Sequence, residues 1–227
     1  MIGYWTISSF SFPKERIESI TLSNVVFATL YFTTLNQKWS STISKINIHT
    51  VVVRVTVIIL LIAALLLGAT RAVGEHFAFR LIQARQLNDN NKAIRYSNKS
   101  LSWFYRLDNF GMPISWYKGS AYVDQGKYKE ALTTFGDAFS VTPYNIQVIN
   151  NLASAHEVVG DHEKAKSLYR EAIRISPGFE DPRLNLAAIY YNESNYREAL
   201  SWTQSVTNDS ERKLKYMELI NAKIGTK

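Results

Sequence analysis

A period of 34 residues runs through the second half of the chain, and no other feature restricts its fold so tightly. Ala131, Ala165 and Ala199 recur at that interval. Other positions hold the same register: Gly119, Ala153 and Ala187; Tyr122, His156 and Tyr190; Gly126, Gly160 and Ser194; Tyr128, His162 and Tyr196; Phe135, Tyr169 and Thr203; Ala138, Ala172 and Val206. A fixed period of this length means that one supersecondary unit is repeated, and that each unit buries its apolar face only against its neighbours.

The residue types say what the unit is. Small residues at the Gly119 and Ala131 positions let two helix axes approach closely. The Tyr122 and Tyr128 positions, with Phe135 and Ala138, are expected to fill the wedge between successive hairpins. Gly126 and Gly160 stand where a first helix must end in a positive φ. Pro143 and Pro177 stop the second helix, and Asp181-Pro182 reads as an N-cap followed by a first-turn proline. The spacing therefore predicts three helical hairpins over 112–145, 146–179 and 180–211. A degenerate hairpin precedes them over 71–111, with Ala93 at the key small position and Asn88-Asp89-Asn90 at its turn. Ala93 lies 38 residues before Ala131, so about four residues are inserted, placed in "FYRLDNFG". The stretch 212–227 reads as a capping helix and tail.

This spacing and set of residues resembles the tetratricopeptide repeat. The resemblance implies an all-α protein, an α-solenoid of stacked hairpins that binds a protein or peptide in a concave groove lined by the first helices. The groove-facing positions are then Tyr117, Ser120 and Asp124; Asn150, Asn151, Ser154 and Glu157; and Asn185, Ala188, Tyr191 and Asn192. Asparagine donates to and accepts from an extended peptide backbone. These positions lack the Lys/Arg set with which chaperone-binding members hold a terminal carboxylate, so an acidic C-terminal peptide is not the expected ligand. Self-association through the groove, or a spacer role, is the alternative.

Upstream stands "VVVRVTVIILLIAALLLGA", residues 51–69. As a helix it is ~28 Å long at ~1.5 Å per residue, close to the ~30 Å hydrocarbon core of a bilayer. Arg54 is one turn inside its start and can reach the headgroups. It has no polar face, as a soluble core helix would. We therefore expect a transmembrane helix at 51–70 in contact with membrane lipid. Residues 1–50 form a membrane-associated segment with a second candidate span at 20–35. No proline separates the apolar run from Gln86, so the helix is expected to continue into the first hairpin.

Charge is uneven. Residues 112–206 carry 9 Lys+Arg against 11 Asp+Glu, whereas 70–111 carry 7 against 3. A basic stretch beside an apolar span suits anionic headgroups. No dense basic run with interleaved aromatics appears, so no nucleic-acid partner is expected. There are no cysteines, which removes thiolate metal sites, disulfides and thiol nucleophiles. His156 and His162 occupy tyrosine positions of the repeat and read as packing groups. No nucleophile elbow, phosphate loop or carboxylate pair is present. The expectation is a non-enzyme without catalytic residues, metal or cofactor.

A more specific resemblance rests on "SSFSFPKERIES", residues 8–19, followed by an apolar segment. It is similar to the late transmembrane region of O-antigen ligase/polymerase-like membrane proteins, some of which carry C-terminal tetratricopeptide repeats. This implies a bacterial inner-membrane protein of the cell envelope with periplasmic repeats, working in surface-polysaccharide assembly as a scaffold. The alternative it implies is a C-terminal fragment of such an enzyme without its catalytic region. Lys38 and Lys45 in the 36–50 loop agree with that topology, while Arg71, Arg80 and Arg85 oppose it.

Overall fold

The computed structural model describes residues 48–225. The candidate span at 20–35 and the 8–19 motif lie outside the described residues. The chain divides into two compact units, Met1–Ala69 and Thr70–Lys227. Described residues form helices throughout: α1 (Ile48–Gln86), α2 (Asn90–Ser100), α3 (Ile114–Asp124), α4 (Tyr128–Val141), α5 (Ile146–Val158), α6 (His162–Ile175), α7 (Glu180–Asn192), α8 (Tyr196–Gln204) and α9 (Glu211–Gly225). Two isolated β-bridges, Ser102 with Tyr105 and Leu107 with Pro113, fall in the loop between α2 and α3.

In the first unit every side chain from Val51 to Ala69 is exposed. The helix is long and apolar enough to cross a membrane. Its one internal hydroxyl is satisfied locally, with Thr56 Oγ1 donating to the Val52 carbonyl at 2.9 Å.

The second unit is a stack of antiparallel hairpins, and its turns explain the period. Each pair of helices is joined by three residues, and the middle one has positive φ: Asn88 at 55°, Gly126 at 70°, Gly160 at 91° and Ser194 at 61°. That conformation lets the following N–H reach back into the last turn. Asp89, Lys127, Asp161 and Asn195 donate to the carbonyls of Ala84, Tyr122, His156 and Tyr190, all at 2.9 Å. Helix ends of this kind satisfy carbonyls that would otherwise have no partner. The same third residue then caps the next helix. The side chains of Asp89, Asp161 and Asn195 accept from Lys92, Lys164 and Glu198 backbone N–H groups.

The second helices stop as the prolines require, α4 at Val141 and α6 at Ile175, each two residues before its proline. The start of α7 differs from the sequence reading. Phe179 is the N-cap, so Asp181 and Pro182 are the second and third helical residues. Proline is tolerated there because the first turn's N–H groups have no helical acceptor. Asp181, freed from capping, pairs with Arg212 at 3.0 Å.

Small residues set the spacing within a hairpin. A Cβ on Gly119 would lie 2.6 Å from the Phe135 ring, so only glycine allows α3 and α4 this approach. The main core gathers Ala131, Phe135, Ile149, Leu152, Ala165, Leu168, Tyr169, Ala172, Leu186 and Ile189, with Tyr122 and Tyr190 against its edge. The wedge expectation holds for Tyr122, Phe135 and Ala138 but fails for Tyr128, which is 41% exposed, and for His162, which is exposed. Both are the first residue of a second helix.

A smaller core holds the first hairpin, from Ala78, Leu81, Ala84, Ala93, Tyr105, Ile114 and Ala121. Its connection to α3 is 13 residues, 101–113, against four at 142–145 and at 176–179. The helix α9 packs on α8 and α7 and buries Ile220 completely, while Leu214, Leu219 and Ile224 stay exposed.

Candidate functional site

The positions singled out on the first helices fall into two polar clusters. The larger one spans α5, α6, α7 and α9. Asn185 Nδ2 donates to Asn150 Oδ1 at 3.2 Å, tying the first helices of two successive repeats together. Asn150 is 8% exposed. Four residues further along α5, one turn on, Ser154 meets the Tyr169 hydroxyl at 2.8 Å. Tyr169 donates to Glu157 Oε2 at 2.9 Å, so its oxygen accepts from Ser154.

Burial controls the protonation of this cluster. Desolvation pushes the Tyr169 phenol well above its ordinary value, with the Glu157 charge adding to the effect. Desolvation also raises the Glu157 carboxyl, against the opposing Tyr169 hydrogen bond and the charges of His162 and Arg212. Tyr169 is therefore a permanent donor, and Glu157 carries its charge at a free-energy penalty.

Arg212 was not among the residues read from the sequence. The first turn of α9 brings its guanidinium to Asp181 at 3.0 Å and to Asn185 Oδ1. The larger cluster thus gains a cation supplied by the cap rather than by a repeat. The 34-residue register gave no signal for it, because α9 lies beyond the last repeat.

The second cluster lies toward the first hairpin. Tyr117 donates to Asp108 Oδ2 at 2.6 Å. Asp108 is buried, and its other oxygen accepts from the Phe110 and Met112 N–H groups at 2.8 Å each. Burial, then the Asp108 hydrogen bond and charge, hold the Tyr117 phenol far above its usual value. Asp124 pairs with Arg85 of the first hairpin at 2.7 Å. Both residues are used to join the insertion and the first turn to α3.

The remaining positions are more open. Ser120, Asn151 and Ala188 are half-buried and Asn192 is exposed. Tyr191 is half-buried and meets the Tyr196 ring edge-on at 5.4 Å. His156 Nδ1 lies 3.1 Å from Asp161, an intrahairpin pair. Among the described residues no group of three His, Asp or Glu side chains could hold a metal ion.

Residues 159–212 match the tetratricopeptide repeat family model. Over 127 residues the chain is 29% identical to the TPR repeat-containing protein YpiA of Bacillus subtilis (strain 168), covering 54% of this chain and 29% of that one. The match therefore spans less than a third of the relative's own length. Among solved structures, a tetratricopeptide repeat protein of Parabacteroides merdae superposes with a TM-score of 0.59 at 18% identity, over 68% of this chain and 61% of the other. The crystal structure of MamA protein gives 0.58 at 17% identity, over 67% and 83%. At these identities the likeness is one of fold.

Proposed function

We propose that the chain is a tetratricopeptide-repeat scaffold for protein–protein interaction, anchored in a membrane, with residues 51–69 crossing a bilayer and the repeats holding a protein or peptide along the face of α3, α5 and α7. One observation carries this reading. The hairpins bury apolar residues among themselves, while residues 51–69, almost wholly aliphatic, are exposed. Leaving that much apolar surface in water costs about 25 cal/mol per Å², and lipid removes the cost. Thr56, bonded back to Val52, adds no unsatisfied group inside the hydrocarbon.

Asn151, Ser120 and Asn192 supply hydrogen-bonding groups for an extended backbone, and Tyr117 and Tyr191 supply flat contact area. Asn150 and Asn185 act as the floor, since each already engages the other. The setting we propose is the bacterial inner membrane, with periplasmic repeats serving surface-polysaccharide assembly; this rests on the resemblance of residues 8–19. The same motif supports a second reading, in which the repeats are the C-terminal part of a ligase/polymerase-like enzyme.

The membrane half is tested by alkaline carbonate extraction of membranes. The protein should stay in the pellet, and Leu60→Arg with Leu65→Arg should release it. Full extraction of the unaltered protein would sink the anchor. The binding half is tested by pull-down from detergent-solubilised membranes with Asn151→Arg and Tyr191→Ala, against Thr133→Arg on the opposite helix of a hairpin. Equal partner recovery from all three contradicts the groove. A reporter active only in the cytoplasm, fused after Lys227, should be silent if the repeats are periplasmic.

A further inference from the structure

The loop between α2 and α3 carries a feature that repeat stacking does not use. Ser102 and Tyr105 exchange backbone hydrogen bonds at 3.2 and 3.3 Å, closing a tight turn with Trp103 and Phe104 at its tip. Tight-turn tips normally take Gly, Asn, Asp or Pro, for the backbone angles they allow. Here the tip holds two large aromatics, 88% and 63% exposed.

The base of the turn is fixed. Tyr105 is 5% exposed. Its ring sits so close to Gly74 that a Cβ there would lie 2.4 Å from Tyr105 Cγ. The buried hydroxyl of Ser100 donates to the Gly74 carbonyl at 2.9 Å. Gly74 follows the last residue of the apolar run, Ala69, by five positions of the same helix. The aromatic tip is thus tied to the segment through which the chain leaves the run.

Its surroundings are basic. Arg71 is exposed and pairs with Glu75 at 3.5 Å. Lys99 lies 5.1 Å from the Phe77 ring, and Arg106 is exposed. The three acids of 70–111 are all engaged: Glu75 by Arg71, Asp89 by Lys92, and Asp108 by backbone N–H groups and Tyr117. An exposed Trp-Phe pair among cations has the chemistry of the bilayer interface, where aromatic rings sit at headgroup level and Lys/Arg meet anionic lipid.

We propose that the Trp103–Phe104 turn inserts into the headgroup region of the bilayer beside the exit of the 51–69 span, as a second contact with anionic lipid. This rests on the membrane reading of residues 51–69.

The cysteine-free sequence allows a clean test. Single cysteines replace Leu60, Trp103, Phe104 or Leu87 in the full chain; each is labelled with a nitrobenzoxadiazole fluorophore. The protein is reconstituted into phosphatidylcholine/phosphatidylglycerol vesicles carrying spin-labelled lipids. Labels at 103 and 104 should shift to the blue and be quenched by lipid labelled near the headgroup, more strongly as phosphatidylglycerol rises. The label at 60 should be quenched by deeply labelled lipid, and the label at 87, exposed in the turn at the far end of α1 from the apolar run, by neither. Labels at 103 and 104 that behave like 87 while 60 is quenched overturn the inference and leave the anchor standing. If 60 is unquenched as well, both fall. Labels at 103 and 104 that stay bright in pure lipid but shift in native membranes would mark a protein partner, and would also overturn the lipid contact.

Discussion

The first hairpin and the hairpins after residue 112 solve the same packing problem with different means. Both join their helices by a three-residue turn whose middle residue has positive φ, and both place an alanine at the key contact, Ala93 in one and Ala131, Ala165 and Ala199 in the others. The regular hairpins are then linked by four residues. Their wedge is filled by Phe135 and Tyr169. The first hairpin has a 13-residue link that folds back, and it fills its wedge with Tyr105, a residue of the link itself. A repeat stack therefore tolerates a broken period, provided the inserted segment supplies the aromatic that the helices no longer do.

The largest expected effect comes from removing Phe135 or Tyr105. Phe135→Ala should cost about 3–5 kcal/mol, as for buried aromatic truncations generally. Tyr105→Ala should instead loosen mainly the first hairpin, because coupling in a stack runs between neighbours. Hydrogen exchange followed along the chain distinguishes them. Residues 90–100 should lose protection in Tyr105→Ala while 146–204 keep it. Uniform loss across 90–204 would show that the two regions form one cooperative unit.

Next comes the polar cluster around Tyr169 and Glu157 in the regular hairpins. Tyr169→Phe removes the donor to the half-buried Glu157 carboxylate and should cost about 1–3 kcal/mol. The folded state holds the Glu157 carboxyl above its ordinary 4.5, so it binds more protons than the unfolded chain in that range. Stability contributed by this group is present below the ordinary value and is lost as pH rises through the raised one. Glu157→Gln should flatten that fall in a thermal-melt series from pH 4 to 7. An unchanged slope would place the titration elsewhere.

The smallest effect concerns the turns. Ser194 has the conformation that glycine adopts at 126 and 160. Ser194→Gly should stabilise by less than about 1 kcal/mol, since relief of a ~1–2 kcal/mol left-handed penalty is partly offset by glycine's chain entropy. Gly126→Ala should move the midpoint the other way by a similar amount.

How much was legible follows from which forces are local. The 34-residue register exposed the small contacts, the glycine turns and the proline stops, because each is a steric demand made within a few residues. The Asp181-Pro182 motif misled because proline fits anywhere in a first turn, so it did not fix the start: α7 begins two residues earlier, after Phe179, without a side-chain cap. Tyr128 and His162 misled because an aromatic in register need not face the wedge when it opens a helix.

The candidate site was legible only in part. The periodic positions Asn150, Ser154, Glu157 and Asn185 were found from the register. Their partners were not, because Tyr169 comes from the facing helix and Arg212 from beyond the repeats. The sequence by itself determined the repeating hairpins, the turn chemistry and the apolar run at 51–69, since period, backbone sterics and hydropathy act along the chain. Only the tertiary structure decided that Asn150 and Asn185 bind each other, that Arg212 reaches them, and that Gly74 seats Tyr105. Those contacts join residues roughly 30 positions apart, and a pattern in sequence carries no information about which side chains such a distance brings together.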